Sequence, residues 1–398
     1  MDNVKSTKKW TIPSLPFVWS PLESPANGSN LPNELPFSLS VDPSTGCVIQ
    51  MPDDEVKSAL SKAYIKGSVL SGLMDDEGIG RMYAEDFLAF VLKVVPEAKL
   101  ANLKVLEIGC GNGYLLSRLA GKGANVLGIE PGDHGQLGAK KWEVPIIQDN
   151  FPSNAVIEKF DLVLSFAVLE HVDNPVEFMS LIKHNLSDDG VVIMAVPDES
   201  PYIASGDVST LFHEHWSYFD INALINTVRL AGYKEFLCEL SGYGGSIYCA
   251  MNKSMVNVEL SRVAVASAII RANQYIDQAR KHIQILDNYI REIQSKGSTL
   301  AVYVPGRAIN TLSIANTSLG SIRFVDDNPL LHDTYFPGFN IPIESRQALI
   351  AKPTENVIIM SRTFGPQLAI ELKAQLIADV NIVTIDDVLS LTHAKTLK

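Results

Sequence analysis

The stretch NLKVLEIGCGNGYLLSRLAGKGANVLGIEPG, residues 102–132, decides the fold. It runs from an apolar strand through a glycine-rich turn into a helix and out into a second apolar strand, the pattern of a βαβ unit in a parallel sheet. The first strand ends in Glu107, and Gly109, Gly111 and Gly113 follow, where backbone must approach a ligand without a Cβ in the way. The second strand ends in Glu130, at the spacing where a carboxylate accepts both hydroxyls of a ribose. A dinucleotide site would place a third glycine three residues after the second, where the helix meets a pyrophosphate, but that position is Tyr114. The tighter spacing suits a cofactor with no phosphate.

The pattern continues outward from this stretch. FDLVLSFAVL (160–169) and GVVIMAVP (190–197) read as buried strands, and NPVEFMSLIKHNLSDD (174–189) between them reads as a helix ending in a polar turn. EFLCELS and SIYCAMN, joined by GYGG at 242–245, read as an antiparallel hairpin that closes the sheet. Apolar residues at 265, 269, 272, 276, 279, 283, 286, 290 and 293 alternate steps of four and three, which predicts one long helix with an a/d seam ended by Gly297. That seam fits a connecting helix packed along the chain, or the coiled coil of a homodimer. Beyond it, TLAVYVPGRAINTLSIA, SIRFVDD, NVIIMSR and NIVTIDDV repeat the alternation of strand, loop and helix. The expected organisation is a small N-terminal module (1–75), an α/β domain with a Rossmann-like sheet (76–253), the long helix (254–296) and a second Rossmann-like α/β domain (297–398).

Composition narrows the class. At 398 residues with 46% hydrophobic side chains, the chain exceeds one usual core. Its net charge of −12 opposes general attraction to nucleic acid or anionic lipid and points to a small-molecule partner. No apolar run approaches a membrane span and no leader pattern opens the chain, so the expected compartment is the cytoplasm, as a monomer or homodimer. Four cysteines at 47, 110, 238 and 249 form no C-x-x-C pair, which predicts reduced, mainly buried thiols.

TLFHEHWSYFD (210–220) raises metal chemistry, because imidazole and carboxylate are common zinc ligands. The helical zinc-protease pattern needs a histidine four residues after His213, and that residue is Ser217. No second ligand cluster is visible in the sequence, so no metal is expected.

Residues 100–250 resemble the class I S-adenosylmethionine-dependent methyltransferases, through the E-x-G-x-G-x-G loop, Glu130 and FAVLEHVDNP (166–175). The resemblance implies S-adenosylmethionine as cofactor, contacted by Glu107, Gly109, Gly111, Gly113, Glu130 and Phe166, with Asp149, Asn150 and Phe151 near its adenine. Glu170 and His171 follow the fourth strand, where α/β folds bind ligands, and fit either a catalytic pair or a structural turn.

The wider chain looks like the sugar C-methyltransferases, which attach a branching methyl group to nucleotide-linked keto-deoxysugars. GCVIQMPDDEV (46–56), FHEHWSYF (212–219), GYGGSI (242–247) and FVDDNPLLHDTYFPGFNIPI (324–343) carry that likeness. It implies His215 as general base, Glu214 as a substrate or orienting contact, and His213 and Tyr218 in support. It also implies substrate contacts at Tyr64, Phe212, Tyr243, Gly306, Arg307, Asp326 and Asn328, with Ser68 and Ser71 alongside. The departures are equally specific. Phe212 stands where the family usually has Tyr, only Cys47 remains of the N-terminal zinc-binding cysteines, and lysines expected after DDNP are missing. The N-terminal module is therefore expected to fold without metal, and the departures leave two alternatives, a non-sugar small molecule methylated on O or N, or a noncatalytic cofactor- or nucleotide-binding protein.

Overall fold

The computed structural model describes residues 7–17, 21–24, 31–64, 74–253, 262–315, 322–376 and 379–390. The strands among them are, in order, β1 (Trp10–Pro16), β2 (Glu34–Val41), β3 (Val48–Gln50), β4 (Lys104–Ile108), β5 (Asn125–Ile129), β6 (Ile146–Ile147), β7 (Phe160–Phe166), β8 (Leu186–Pro197), β9 (Ser217–Tyr218), β10 (Tyr233–Leu240) and β11 (Ser246–Lys253). β12 (Leu300–Tyr303), β13 (Ile322–Val325), β14 (Ile343–Glu344), β15 (Asn356–Ile359) and β16 (Asn381–Thr384) follow. The chain forms two compact units, one from Leu39–Ile203 and His213–Asn273, the other from Trp10–Ser38, Ala204–Phe212 and Gln274–Lys398.

The first unit holds a seven-stranded sheet in the order β10-β11-β8-β7-β4-β5-β6. β4 to β8 run parallel, β11 is antiparallel to β8, and β10 is antiparallel to β11, so the hairpin read from GYGG closes the sheet. The apolar runs are continuous because both faces are covered. Leu106, Val163, Val192 and Met194 pack into one cluster, while their neighbours Val105, Leu162, Leu164 and Ile193 pack into another. That two-residue alternation is the pleat of a strand buried on both sides.

Four helices frame the ligand edge of this sheet: α1 (Asp54–Tyr64), α2 (Gly78–Val94), α3 (Tyr114–Ala120) and α4 (Asp133–Trp142). α3 begins at Gly113, which has φ of +76°, and the Asn112 side-chain oxygen accepts from the Tyr114 N–H at 3.0 Å. This cap meets a donor that the helix itself leaves unpaired.

The described part of the N-terminal module is held by strand pairing. β3 pairs with the end of β2 and, on its other side, with β9, opposing Val48 to Tyr218 and Ile49 to Ser217. Cys47 is buried, with its thiol against the Tyr218 carbonyl at 3.4 Å, and the Asn226 amide donates to the Thr45 carbonyl at 2.8 Å. All four cysteines are free thiols, three of them buried.

The second unit carries a parallel five-stranded sheet in the order β14-β13-β12-β15-β16. Leu300, Val302, Phe324 and Ile358 face one core cluster, and Ala301, Tyr303, Val325 and Ile359 the other. Strand order reverses between β12 and β15, which puts the ligand edge of such a sheet at the ends of those two strands.

The predicted long helix is observed as Arg262–Ser295, with Gly297 at φ +68° beyond its end. Its seam residues Ile269, Ala272, Ile276, Ala279, Leu286, Ile290 and Ile293 are buried within the chain, so intrachain packing accounts for the pattern. No helix among the described residues is long and apolar enough to cross a membrane.

Candidate active site

The first sheet reverses its strand order between β4 and β7, and the cofactor loop sits at that point. Gly109, Gly111 and Gly113 have φ of +70°, +54° and +76°, in the left-handed region that glycine enters without a Cβ penalty. Space adds a second constraint, because a Cβ on Gly109 would lie 2.4 Å from Val168 Cγ2, just after β7. A cleft of about 660 Å³ opens here, lined by Gly109, Pro131, Asp149, Asn150, Phe151 and Val168 among others. His171 and Trp216 line the same cleft, as do Lys57, Leu60 and Ser61 of α1.

Two carboxylates back the loop. Glu130, at the end of β5, accepts from the Gly111 N–H at 3.1 Å and from the Gly132 N–H at 2.8 Å. Glu107 is fully buried and neither of its oxygens has a hydrogen-bond partner, while burial, with the Glu130 charge adding, pushes its carboxyl well above the usual range. An orphaned buried carboxyl beside a loop that no Cβ could enter fits a ligand with a cationic amino-acid end and a ribose. Asp149 lines the cleft, and its carboxylate is engaged by its own turn. It accepts from the Ser153 hydroxyl at 2.6 Å and the Asn150 N–H at 2.8 Å, and these bonds hold it below the usual range.

The H-E-H segment reaches this site through β3. The Trp216 N–H donates to the Glu170 carbonyl at 2.7 Å, and the Gln50 N–H donates to the Trp216 carbonyl at 3.0 Å. In the orientation that satisfies both ends of its amide, the buried Gln50 side chain donates to the carbonyls of His213 and His215, at 3.0 and 2.8 Å. His213 and Glu214 are buried, and His215 projects toward His171, the two rings meeting edge to face with centroids 4.9 Å apart. Tyr218 lies 6.0 Å from the His215 ring, centroid to centroid.

His171 Nδ1 lies 3.0 Å from the Glu214 carbonyl, an acceptor, so that nitrogen carries the proton and Nε2 is left with a lone pair. Nε2 lies 3.8 Å from Glu170 Oε1. The oxygen of Glu170 and the nitrogens of His171 and His215 all come within 4.8 Å of one another, the one place among the described residues where three metal-ligating groups converge. The sequence shows Glu170 and His171 side by side but hides the cluster, because His215 joins them from a segment more than forty residues on.

The charge state of the cluster follows from its burial. Burial pushes Glu170 up to about 8, with the Glu199 charge adding to it and a backbone hydrogen bond opposing. Burial pushes His171 down to about 4 against its bond to the Glu214 carbonyl, and His215 is lowered by burial and by His171. Near neutral pH the group is therefore two neutral imidazoles and a protonated carboxyl, a set able to accept one proton and pass it on. Gln resembles the neutral acid, so Glu170→Gln is expected to keep turnover at neutral pH and to remove an alkaline inflection near 8 from the pH–rate profile. Its stability should follow. A folded-state pKa raised above 4.5 means the native state binds the extra proton, so wild-type stability falls as pH rises toward 8, and the variant's thermal midpoint should be flatter over that window.

Other expected site residues are placed as follows. Phe166 ends β7, in edge contact with Phe87 at 5.1 Å, and Tyr243 is exposed at the hairpin tip, 5.0 Å from the Tyr83 ring. Phe212, Gly306, Asp326 and Asn328 belong to the second unit. Ser68 and Ser71 lie outside the described residues, as do the side chains of Tyr64 and Arg307. Gln50, Trp216 and Lys57 were not foreseen. Nothing local marks them, since strand pairing and helix packing bring them to the site.

A family model described as "Methyltransferase domain" matches residues 80–237, the stretch that carries the glycine loop and both carboxylates, so this part of the chain is an S-adenosylmethionine-dependent methyltransferase domain. The tRNA U34 carboxymethyltransferase of Pseudomonas fluorescens is 27% identical over 161 residues, 37% of this chain and 50% of that protein. Its counterpart in Pseudomonas savastanoi is 30% identical over the same length and shares. The chain thus spans about half the length of the curated relatives it matches. Among solved structures, an S-adenosylmethionine dependent methyltransferase from Mesorhizobium loti superposes with a TM-score of 0.36 and 13% identity, over 42% of this chain and 98% of that one.

Proposed function

We propose that the protein is a cytoplasmic C-methyltransferase acting on a small keto compound, with a nucleotide-linked keto-deoxysugar the leading acceptor. The observation that carries this reading is the neutral His215 imidazole, grouped with His171 and Glu170 beside the cleft that Gly109 lines. Bound S-adenosylmethionine supplies an electrophilic sulfonium methyl group. The chain's task is then to make carbon nucleophilic: His215 takes the proton beside the ketone, and the C–H electron pair becomes an enolate that would form the new C–C bond as the methyl–sulfur bond breaks and its electron pair leaves on a neutral thioether. Burial and the neighbouring His171 ring hold the base in its uncharged form, and His171, oriented by the Glu214 carbonyl, offers the proton a path onward. Tyr218 and the buried Glu214 pack around the segment, and alignment does the rest.

The second unit supports a nucleotide-linked acceptor. Asp327 is engaged by Arg346 and by the Tyr303 hydroxyl at 2.6 Å, and its neighbour Asp326 accepts from the Asn328 N–H at 2.9 Å with a half-buried carboxyl that burial raises above the ordinary value. That carboxyl stands after the second strand of a parallel sheet, where α/β folds hold the sugar hydroxyls of nucleotides. The relatives named for tRNA suggest a polyanionic acceptor instead. They match 161 residues, 37% of this chain, and its net charge of −12 disfavours binding a phosphate backbone.

The test is mass spectrometry of the protein with S-adenosylmethionine and a panel of nucleotide-linked keto-deoxysugars in deuterated water. Methyl gain together with His215-dependent, carbon-bound deuterium is the expected result. Methyl gain on oxygen or nitrogen without exchange would replace C-methylation with the alternative chemistry. Cofactor binding with no transfer to sugars, and transfer to tRNA, would overturn the acceptor.

A further inference from the structure

Glu130 is wrapped by the segment that follows it. Its Oε2 takes the Gly111 N–H at 3.1 Å, its Oε1 takes the Gly132 N–H at 2.8 Å, and the Nε2 of His134, four residues on, stands 3.4 Å from Oε1. The histidine reaches that position only because residue 132 is glycine. A Cβ there would lie 2.4 Å from His134 Cε1, 2.7 Å from Nδ1 and 3.0 Å from Glu130 Oε1, so the imidazole is laid across bare backbone. Gly135 is held in the same way, since its Cβ would meet Glu130 Cγ at 2.9 Å.

A carboxylate offers about four acceptor positions. Two are filled by the backbone N–H groups and His134 stands over a third, while a ribose diol brings two O–H donors. The carboxylate cannot serve both partners in full.

We propose that His134 is a latch on the cofactor carboxylate: its imidazolium holds Glu130 while the site is empty, and the ribose diol displaces it with release of its proton. This rests on reading Glu130 as the ribose ligand. The charged groups that face the ring are Glu130, just after β5, and Asp133 of its own helix, the latter engaged by the Gln148 amide at 2.9 Å. The bond to Glu130, with both negative charges adding, raises the His134 pKa above its ordinary 6.5 against the effect of burial. Displacement returns the ring to its ordinary value. The empty site therefore binds more protons than the filled one, and affinity should rise with pH from the ordinary value through the raised one and level off above it.

The experiment is calorimetric titration of the full chain with S-adenosylhomocysteine, which carries the same ribose, between about pH 6 and about pH 8, in two buffers of different ionisation enthalpy. The expected result is a several-fold tightening with pH and a measurable proton release between the ordinary value and the raised one. His134→Gln should abolish both and bind more tightly than wild type at the acidic end. Wild-type binding that is independent of pH and releases no proton would overturn the latch without any variant, and so would an unchanged slope in His134→Gln. Glu130→Gln separates the two ideas: lost binding there keeps the ribose reading whatever His134 does, and retained binding removes the reading and the latch together.

Discussion

Replacing His215 with alanine is expected to lower methyl transfer by about 10²- to 10⁴-fold, the usual worth of a positioned general base. Affinity for S-adenosylmethionine should stay near wild type, because the cofactor loop and Glu130 are untouched. The cause is chemical as well as spatial. A C–H bond beside a ketone is not acidic enough to ionise into water at a useful rate, and burial leaves this imidazole unprotonated and ready to accept a proton. His215→Asn controls for the cavity that alanine leaves, since it keeps polarity and part of the volume but cannot act as a base at neutral pH. Wash-in of deuterium at carbon, measured with cofactor omitted, should vanish in both variants. Full turnover in either one would remove His215 from the mechanism.

Gly138→Ala is expected to abolish cofactor binding while the rest of the chain stays folded. α4 crosses the glycine loop so closely that a Cβ at residue 138 would sit 1.9 Å from the Asn112 carbonyl oxygen and 2.5 Å from its carbonyl carbon. Those atoms are backbone and cannot rotate away. Either α4 lifts or the loop moves, and Asn112 also caps α3. Overpacking of this kind usually costs about 1–3 kcal/mol. The loss should appear as a lower thermal midpoint in the free protein and, more strongly, as a missing shift on adding S-adenosylhomocysteine, since a ligand stabilises only the state that binds it. A wild-type ligand shift in Gly138→Ala would mean the loop tolerates the displacement.

Both arguments use glycine and histidine, yet these were not equally legible in the sequence. The glycine loop was readable because everything that makes it a ligand site is local: a strand, three residues in left-handed geometry and a helix start within ten residues. Glu130 was readable for the same reason, one crossover away. The hairpin and the long helix followed from periodicity, which the backbone imposes over short distances. The β3–β9 pairing was not readable. A three-residue strand against a two-residue strand has no period to detect, and its partners are distant in the chain.

The acid–base group lies between these cases. The sequence displays Glu170 and His171 in one motif and His215 in another, each open to a structural or a chemical role. It cannot show that the Glu214 carbonyl selects the tautomer of His171, that Gln50 holds the H-E-H backbone, or that burial leaves Glu170 protonated. Those properties depend on distance and on exclusion of water, and both arise only once β3, β7 and β9 are assembled. By itself, then, the sequence determined the sheet architecture, the cofactor loop and the candidate base, because those are written in local geometry and spacing. The tertiary structure alone decided which side chains share a proton and which carboxylates are engaged or left open, because a pKa and a hydrogen bond belong to an environment rather than to a residue.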